Sequence, residues 1–139
     1  MSNSPSITAA PTVPVHKSRL APIALWGVQV VLASMFLLSG ASKLAGAAAM
    51  VALFDAIGVG QWFRYVTGGI EVVSAVALLV PSLAPFGAIA LVATMVGAVA
   101  THLFIVGGSP AVPAVLLLGS LAVAWARRDQ LSQALSKLL

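Results

Sequence analysis

Four ionisable side chains stand in stretches that are otherwise apolar. Lys43 closes the run MFLLSGASKL, Arg64 and Glu71 lie in RYVTGGIEVVSAVALLV, and His102 stands near the end of ATMVGAVATHL. A carboxylate, an imidazole and two cations in such a setting offer proton exchange between Glu71 and His102, with Lys43 or Arg64 holding negative charge. An ionised carboxylate near the middle of a bilayer costs about 2.5–3.5 kcal/mol on insertion scales, so Glu71 should face the protein interior and have a partner or be protonated. Lys43, Arg64 and His102 are its candidates. Arg64 precedes Glu71 by two helical turns on the same face, and its long side chain reaches either inward or out to the interface. The same four residues also fit a second reading, a satisfied polar network that fixes helix register without binding anything.

Other chemistry finds little support. The chain has no Cys, which removes disulfides, thiolate ligands and a cysteine nucleophile. A bis-histidine haem needs a second histidine within the membrane. His16 lies in the N-terminal tail on the opposite side, and Met95 shares the helix of His102. No nucleophile elbow, phosphate loop or metal-ligand cluster is present, so neither a catalytic residue nor a metal ligand is singled out. Asp55 reads as a solvated charge or helix-end contact. The hydroxyls of Ser39, Ser42, Thr67, Ser74, Thr94 and Thr101 read as partners of their own helix backbone.

The elements that must position these groups follow from composition. Of 139 residues, 60% are hydrophobic and 7% charged, far below the roughly 25% charged residues of soluble domains. Ten charged side chains cannot cover a water-facing surface, so the chain is expected to be embedded in lipid as one membrane domain. The formal charge of +4 does not point to nucleic acid, because the basic residues gather at the ends of apolar runs as topology determinants do.

Four spans are expected, at about 21–44, 61–80, 86–106 and 111–126. Between the first two, Met50, Leu53, Phe54 and Ile57 recur at i, i+3, i+4 and i+7 in a segment too short to span, which is expected to lie in the interface or re-enter slightly. Pro81 and Pro85 bracket one tight turn, and Gly107, Gly108, Ser109 and Pro110 make another. The expected fold is all-α, an integral membrane antiparallel four-helix bundle with an interfacial segment between helices one and two. Small residues at 68, 69, 87, 90, 93, 97 and 100 are expected to let helices approach closely.

The domain reading is a disordered cytoplasmic tail over 1–19, a membrane domain over 20–128 and a short cytoplasmic amphipathic tail over 129–139, with Leu131, Leu135 and Leu138 on one face. The first apolar run exceeds the length of a signal-peptide core, so it is expected to be retained. Lys17, Arg19, Arg127, Arg128 and Lys137 on one side outnumber Lys43 and Arg64 on the other, which places both termini in the cytoplasm. Trp26 and Trp125 then fall at the inner interface, and Trp62, Phe63 and Tyr65 at the outer.

The order FLLSGASKL at 36–44, Met50, Phe54 and Ile57-Gly58, RYVTGGIEVVSAVALLVP at 64–81 and ATMVGAVATHL at 93–103 resembles the DoxX and DoxX-like family of small bacterial membrane proteins. The resemblance implies a four-helix membrane bundle in the bacterial cytoplasmic (inner) membrane. Family members are described as the small subunit of a thiosulfate:quinone oxidoreductase and as parts of membrane oxidoreductase complexes that detoxify oxidants. Gly40, Lys43, Gly69, Glu71 and His102 occupy positions that look like the family's recurrent ones.

The leading expectation is an accessory subunit of a membrane redox complex that helps form a pocket for a quinone or another small apolar ligand in the outer half of the bundle. The alternative is a non-catalytic membrane assembly factor or scaffold packing on larger membrane subunits. A small carrier is a weaker third, since no inverted repeat is evident. The expected partners are the lipid bilayer and other membrane subunits or further copies of the chain, with no nucleic acid.

Overall fold

The computed structural model describes residues 19–139. The tail expected over 1–19 therefore lies outside the described residues except for Arg19, and so do His16 and Lys17. Among the described residues all regular structure is helical: α1 Leu20–Ala45, α2 Ala48–Ile57, α3 Gln61–Leu79, α4 Ala84–Thr101 continued by a π-helical turn His102–Val106, α5 Ala111–Ala126 and α6 Arg128–Ser136.

The breaks between helices follow from local chemistry. Gly46 ends α1 at φ +72°, a left-handed conformation that L side chains adopt only at a cost, and its N–H bonds back to the last turn. Val80 to Leu83 turn the chain after α3, and Pro85 sits in the first turn of α4, where its missing N–H has no helical partner to lose. Gly107 and Gly108, both with positive φ, part the π-helical turn from α5.

Three helical stretches are long and apolar enough to cross a membrane: Leu20–Ala45, Gln61–Leu79 and Ala84–Val106. The fourth expected span appears as α5 with the expected bounds, but its 16 residues reach spanning length only together with α6, which leaves it at 56°. Of the leucines expected on one face, Leu131 is partly buried, whereas Leu135 and Leu138, the latter past the end of α6, are exposed.

The buried positions form one stripe per helix. On α1 they are Gln29, Leu32, Ala33, Phe36, Gly40 and Lys43, on α3 Arg64, Gly68, Glu71, Ser74, Ala75 and Leu78, and on α5 Pro113, Leu116, Ser120 and Val123. Each stripe follows the i, i+3, i+4, i+7 spacing of a single helical face. α1 packs on α3, α3 on α4 and α4 on α5, with a shorter contact between α1 and α5. Phe36, Ala75, Leu78, Ala88, Leu91 and Val123 make a dry centre.

Close packing, the main cohesive force between apolar helices in lipid, depends here on some of the small residues and not on others. A Cβ at Gly87 would lie 2.7 Å from the Ser74 carbonyl oxygen, and one at Gly119 would lie 2.9 Å from Leu32. Gly69 and Gly97, expected to be packing positions, have open space where a side chain would go.

Candidate functional site

Two glycines bring the ionisable groups together. A Cβ at Gly40 would lie 2.8 Å from the carbonyl oxygen of Gly68, and one at Gly68 would lie 3.0 Å from the Cβ of Lys43, so α1 and α3 touch backbone to backbone at this crossing. Lys43 follows Gly40 by three residues and Glu71 follows Gly68 by three, so both side chains emerge one turn beyond the contact and on the facing sides. There Lys43 Nζ donates to Glu71 Oε2 at 2.8 Å and Oε1 at 3.0 Å, and to Ser39 Oγ at 2.7 Å. Glu71 is 1% exposed and Lys43 9%, so each charge depends on the other for its neutralisation.

Arg64 takes a different course. It is buried, but its Nη1 donates to the backbone carbonyl of Lys43 and its Nε to Gln61 Oε1 at 2.6 Å. Gln61 in turn donates to Asp55 Oδ1 at 2.7 Å and to the Val51 carbonyl at 3.0 Å. The guanidinium thus ties the end of α1 to the start of α3 and, through Gln61, to α2, and holds the backbone of Lys43 while leaving its ammonium to Glu71. It also stacks on the Tyr65 ring, 4.3 Å from the centroid.

Beyond the ion pair lies a cavity of about 580 Å³, within the range of small-molecule sites. Its walls are mainly apolar. Met50, Leu53, Phe54 and Ile57 of α2 cover one side, so this stripe faces the cavity. Phe63, expected in an aromatic belt, lines the cavity and meets Phe54 edge to face at 5.9 Å, whereas Trp62 and Tyr65 stay exposed. Gly97 leaves space on the α4 wall. Lys43, Glu71 and His102 all line this one space, and Arg64 stands outside its lining.

The polar part of the lining has a definite hydrogen-bonding sense. The Lys43 ammonium is directed at the two Glu71 carboxylate oxygens and the Ser39 hydroxyl. Thr67, Thr94 and Thr101 donate their hydroxyl hydrogens to carbonyls of their own helices, as expected for hydroxyls in apolar helices. His102 Nδ1 lies 2.9 Å from the Ala98 carbonyl, which can only accept, so Nδ1 carries a hydrogen, and in the tautomer this selects Nε2 keeps its lone pair. The first turn of a π-helical segment holds this ring at the cavity wall. Apart from the Ser39 and Ser109 hydroxyls, the cavity offers acceptors: the Glu71 carboxylate, the threonine oxygens and His102 Nε2.

A model of the DoxX-like family matches residues 27–125. The chain belongs to the DoxX-like family. The match runs from before Gln29 to Trp125, and so includes every residue that lines the cavity. With its several long apolar helices, this DoxX-like chain is a multi-pass membrane protein. No curated protein and no solved structure is significantly similar to it.

Sequence reasoning passed over a second polar cluster in the DoxX-like chain. Gln29, fully buried, donates to the Leu78 carbonyl at 2.5 Å and accepts from Arg127 Nε at 2.9 Å and Nη2 at 2.7 Å. A basic residue after an apolar run reads as a topology marker, which hid Arg127. The signal was its register, since Arg127 continues the buried stripe of Leu116, Ser120 and Val123 by one further turn. Likewise Gly68, not Gly69, is the glycine at the helix crossing.

Proposed function

We propose that this DoxX-like protein is an accessory subunit of a membrane redox complex, and that its cavity holds a molecule of the quinone pool in the hydroxyl-bearing, quinol form. The observation that carries this reading is the acceptor-rich polar end of an apolar cavity, formed by the Glu71 carboxylate and His102 Nε2. A quinone carbonyl needs donors, which the lining mostly lacks. A quinol hydroxyl needs acceptors, which it has. The apolar walls of α2, α3 and α4 suit the ring and the first part of an isoprenoid tail. Lys43 holds the Glu71 carboxylate at the polar end of the cavity, and Arg64 keeps Lys43 in place. The redox centre itself belongs to the larger subunits on which the helices pack.

In the same proposal the four long apolar segments form an antiparallel bundle in the bacterial inner membrane with both termini in the cytoplasm, so the cavity opens in the outer half. The excess of Lys and Arg at the Arg127 end supports that orientation.

The test is binding of a short-chain quinol to the purified protein in lipid nanodiscs under reducing conditions, with the matching quinone as comparison. Saturable binding that favours the quinol, and that weakens about tenfold or more in His102→Asn, is the expected result. Asn keeps a donor for the Ala98 carbonyl but removes the second ring nitrogen. Absence of saturable binding, with wild type and Glu71→Gln alike, would overturn the reading and favour the scaffold alternative.

A further inference from the structure

Arg127 is 7% exposed, and its positive charge has no acid beside it. The chain has three acidic residues: Glu71 is taken by Lys43, Asp55 accepts from Gln61, and exposed Asp129 lies 3.9 Å from Arg128. Among the described residues the Arg127 guanidinium is held by the neutral oxygens of Gln29 and, through Nη1 at 3.1 Å, Gln130, with the neutral Trp26 ring 5.5 Å away. Hydrogen bonds to amide oxygens satisfy its geometry but leave its charge uncompensated, and a buried cation of this kind favours a counter-anion nearby.

A place for that anion adjoins it. A cleft of about 320 Å³ lies between the turn after α3, with Pro81 and Ser82, and α6, with Gln130 and Gln133 and with Lys137 just past its end. Gln130 forms part of both structures: its amide oxygen accepts from Arg127, which leaves its NH₂ as a donor for the cleft that it lines. Lys137 adds an ammonium, and Ser82 and Gln133 add a hydroxyl and an amide. In contrast to the acceptor-rich cavity, this cleft carries hydrogen-bond donors and one cation, the Lys137 ammonium.

The level in the fold indicates the source of the anion. Trp26, whose ring lies 5.5 Å from the Arg127 guanidinium, and Trp125, under Arg128, mark the headgroup zone, and Leu79, Val80 and Leu83 stand exposed beside the turn. We propose that the cleft between the α3–α4 turn and α6 is a second binding site, for the phosphate of an anionic phospholipid, with Lys137, Gln130 and Ser82 in contact and Arg127 supplying charge from behind. The site is about 21 Å along α1 from Lys43, taking the rise from Gln29, and does not depend on what the cavity binds.

The experiment measures thermal stabilisation of the protein in nanodiscs of zwitterionic lipid as phosphatidylglycerol is titrated in. Wild type should be stabilised saturably. Lys137→Gln, an exposed position that cannot disturb the core, should weaken the apparent lipid affinity about fivefold, the worth of one cation near a membrane surface. Arg128→Gln removes the same charge from the same end but outside the cleft, and should change it less than twofold. Equal losses in the two variants would reduce the effect to general surface attraction and overturn the site. Equal stabilisation by inorganic phosphate in purely zwitterionic discs would assign the cleft to a soluble anion and overturn the lipid assignment.

Discussion

Arg64 and Glu71 lie on the same face of α3, two turns apart, and both are buried, yet they are not partners. Glu71 is held by Lys43 from α1, and Arg64 closes on the main-chain carbonyl of that same lysine. One cation therefore neutralises the acid and the other fixes the backbone from which the first cation extends. This division leaves the Glu71 carboxylate a single ion-pair partner on the cavity side.

Removing either member of the Lys43–Glu71 pair leaves an uncompensated buried charge. Lys43→Met and Glu71→Gln should each destabilise the protein by about 3–5 kcal/mol, with the joint Lys43→Met, Glu71→Gln variant losing much less than the sum. Reversible unfolding in mixed detergent micelles, analysed as a double-mutant cycle, measures the coupling.

The α1–α3 crossing requires glycine where backbones touch and not elsewhere. Gly40→Val and Gly68→Val should each cost about 1–3 kcal/mol or more through overpacking. Gly69→Ala, next to the crossing but facing open space, should be neutral or stabilising by up to about 1 kcal/mol through helix propensity. Thermal denaturation of the three variants separates these outcomes.

Gly97 has free space toward the cavity, so a larger side chain there occupies the ligand's volume without disturbing a helix contact. Gly97→Leu should leave the melting temperature unchanged or slightly raised while lowering quinol affinity about tenfold or more. A parallel melting curve and binding isotherm check this. Loss of both together would show that the wall of α4 is needed for folding.

Arg64→Lys keeps the charge but loses the fork that reaches both the Lys43 carbonyl and Gln61. It should cost about 1.5–3 kcal/mol, the range for hydrogen bonds to charged groups. Gly46→Ala, at φ +72° in the same corner, should cost about 1 kcal/mol through the left-handed backbone alone. Chemical denaturation midpoints of the two variants give both values.

Much of this architecture was legible in the residues. The spans expected at 61–80 and 111–126 are α3 and α5 to within one residue, because run length and Pro or Gly punctuation are local properties of the chain. The helical period of Met50, Leu53, Phe54 and Ile57 is likewise present in α2. What the stripe faces was not legible, because a period of 3.6 residues defines a face and says nothing of what that face meets. It meets a protein cavity.

The amino-acid order alone thus determined that the chain is helical and membrane-embedded, and which ionisable groups lie within apolar sequence, since backbone hydrogen bonding in lipid leaves few other solutions for such runs. Only the tertiary structure decided the pairings: Lys43 with Glu71 across 28 residues and Arg127 with Gln29 across 98. These depend on where helices cross and how closely, which here turns on glycine contacts between helices, and no local pattern specifies which glycine finds a neighbour.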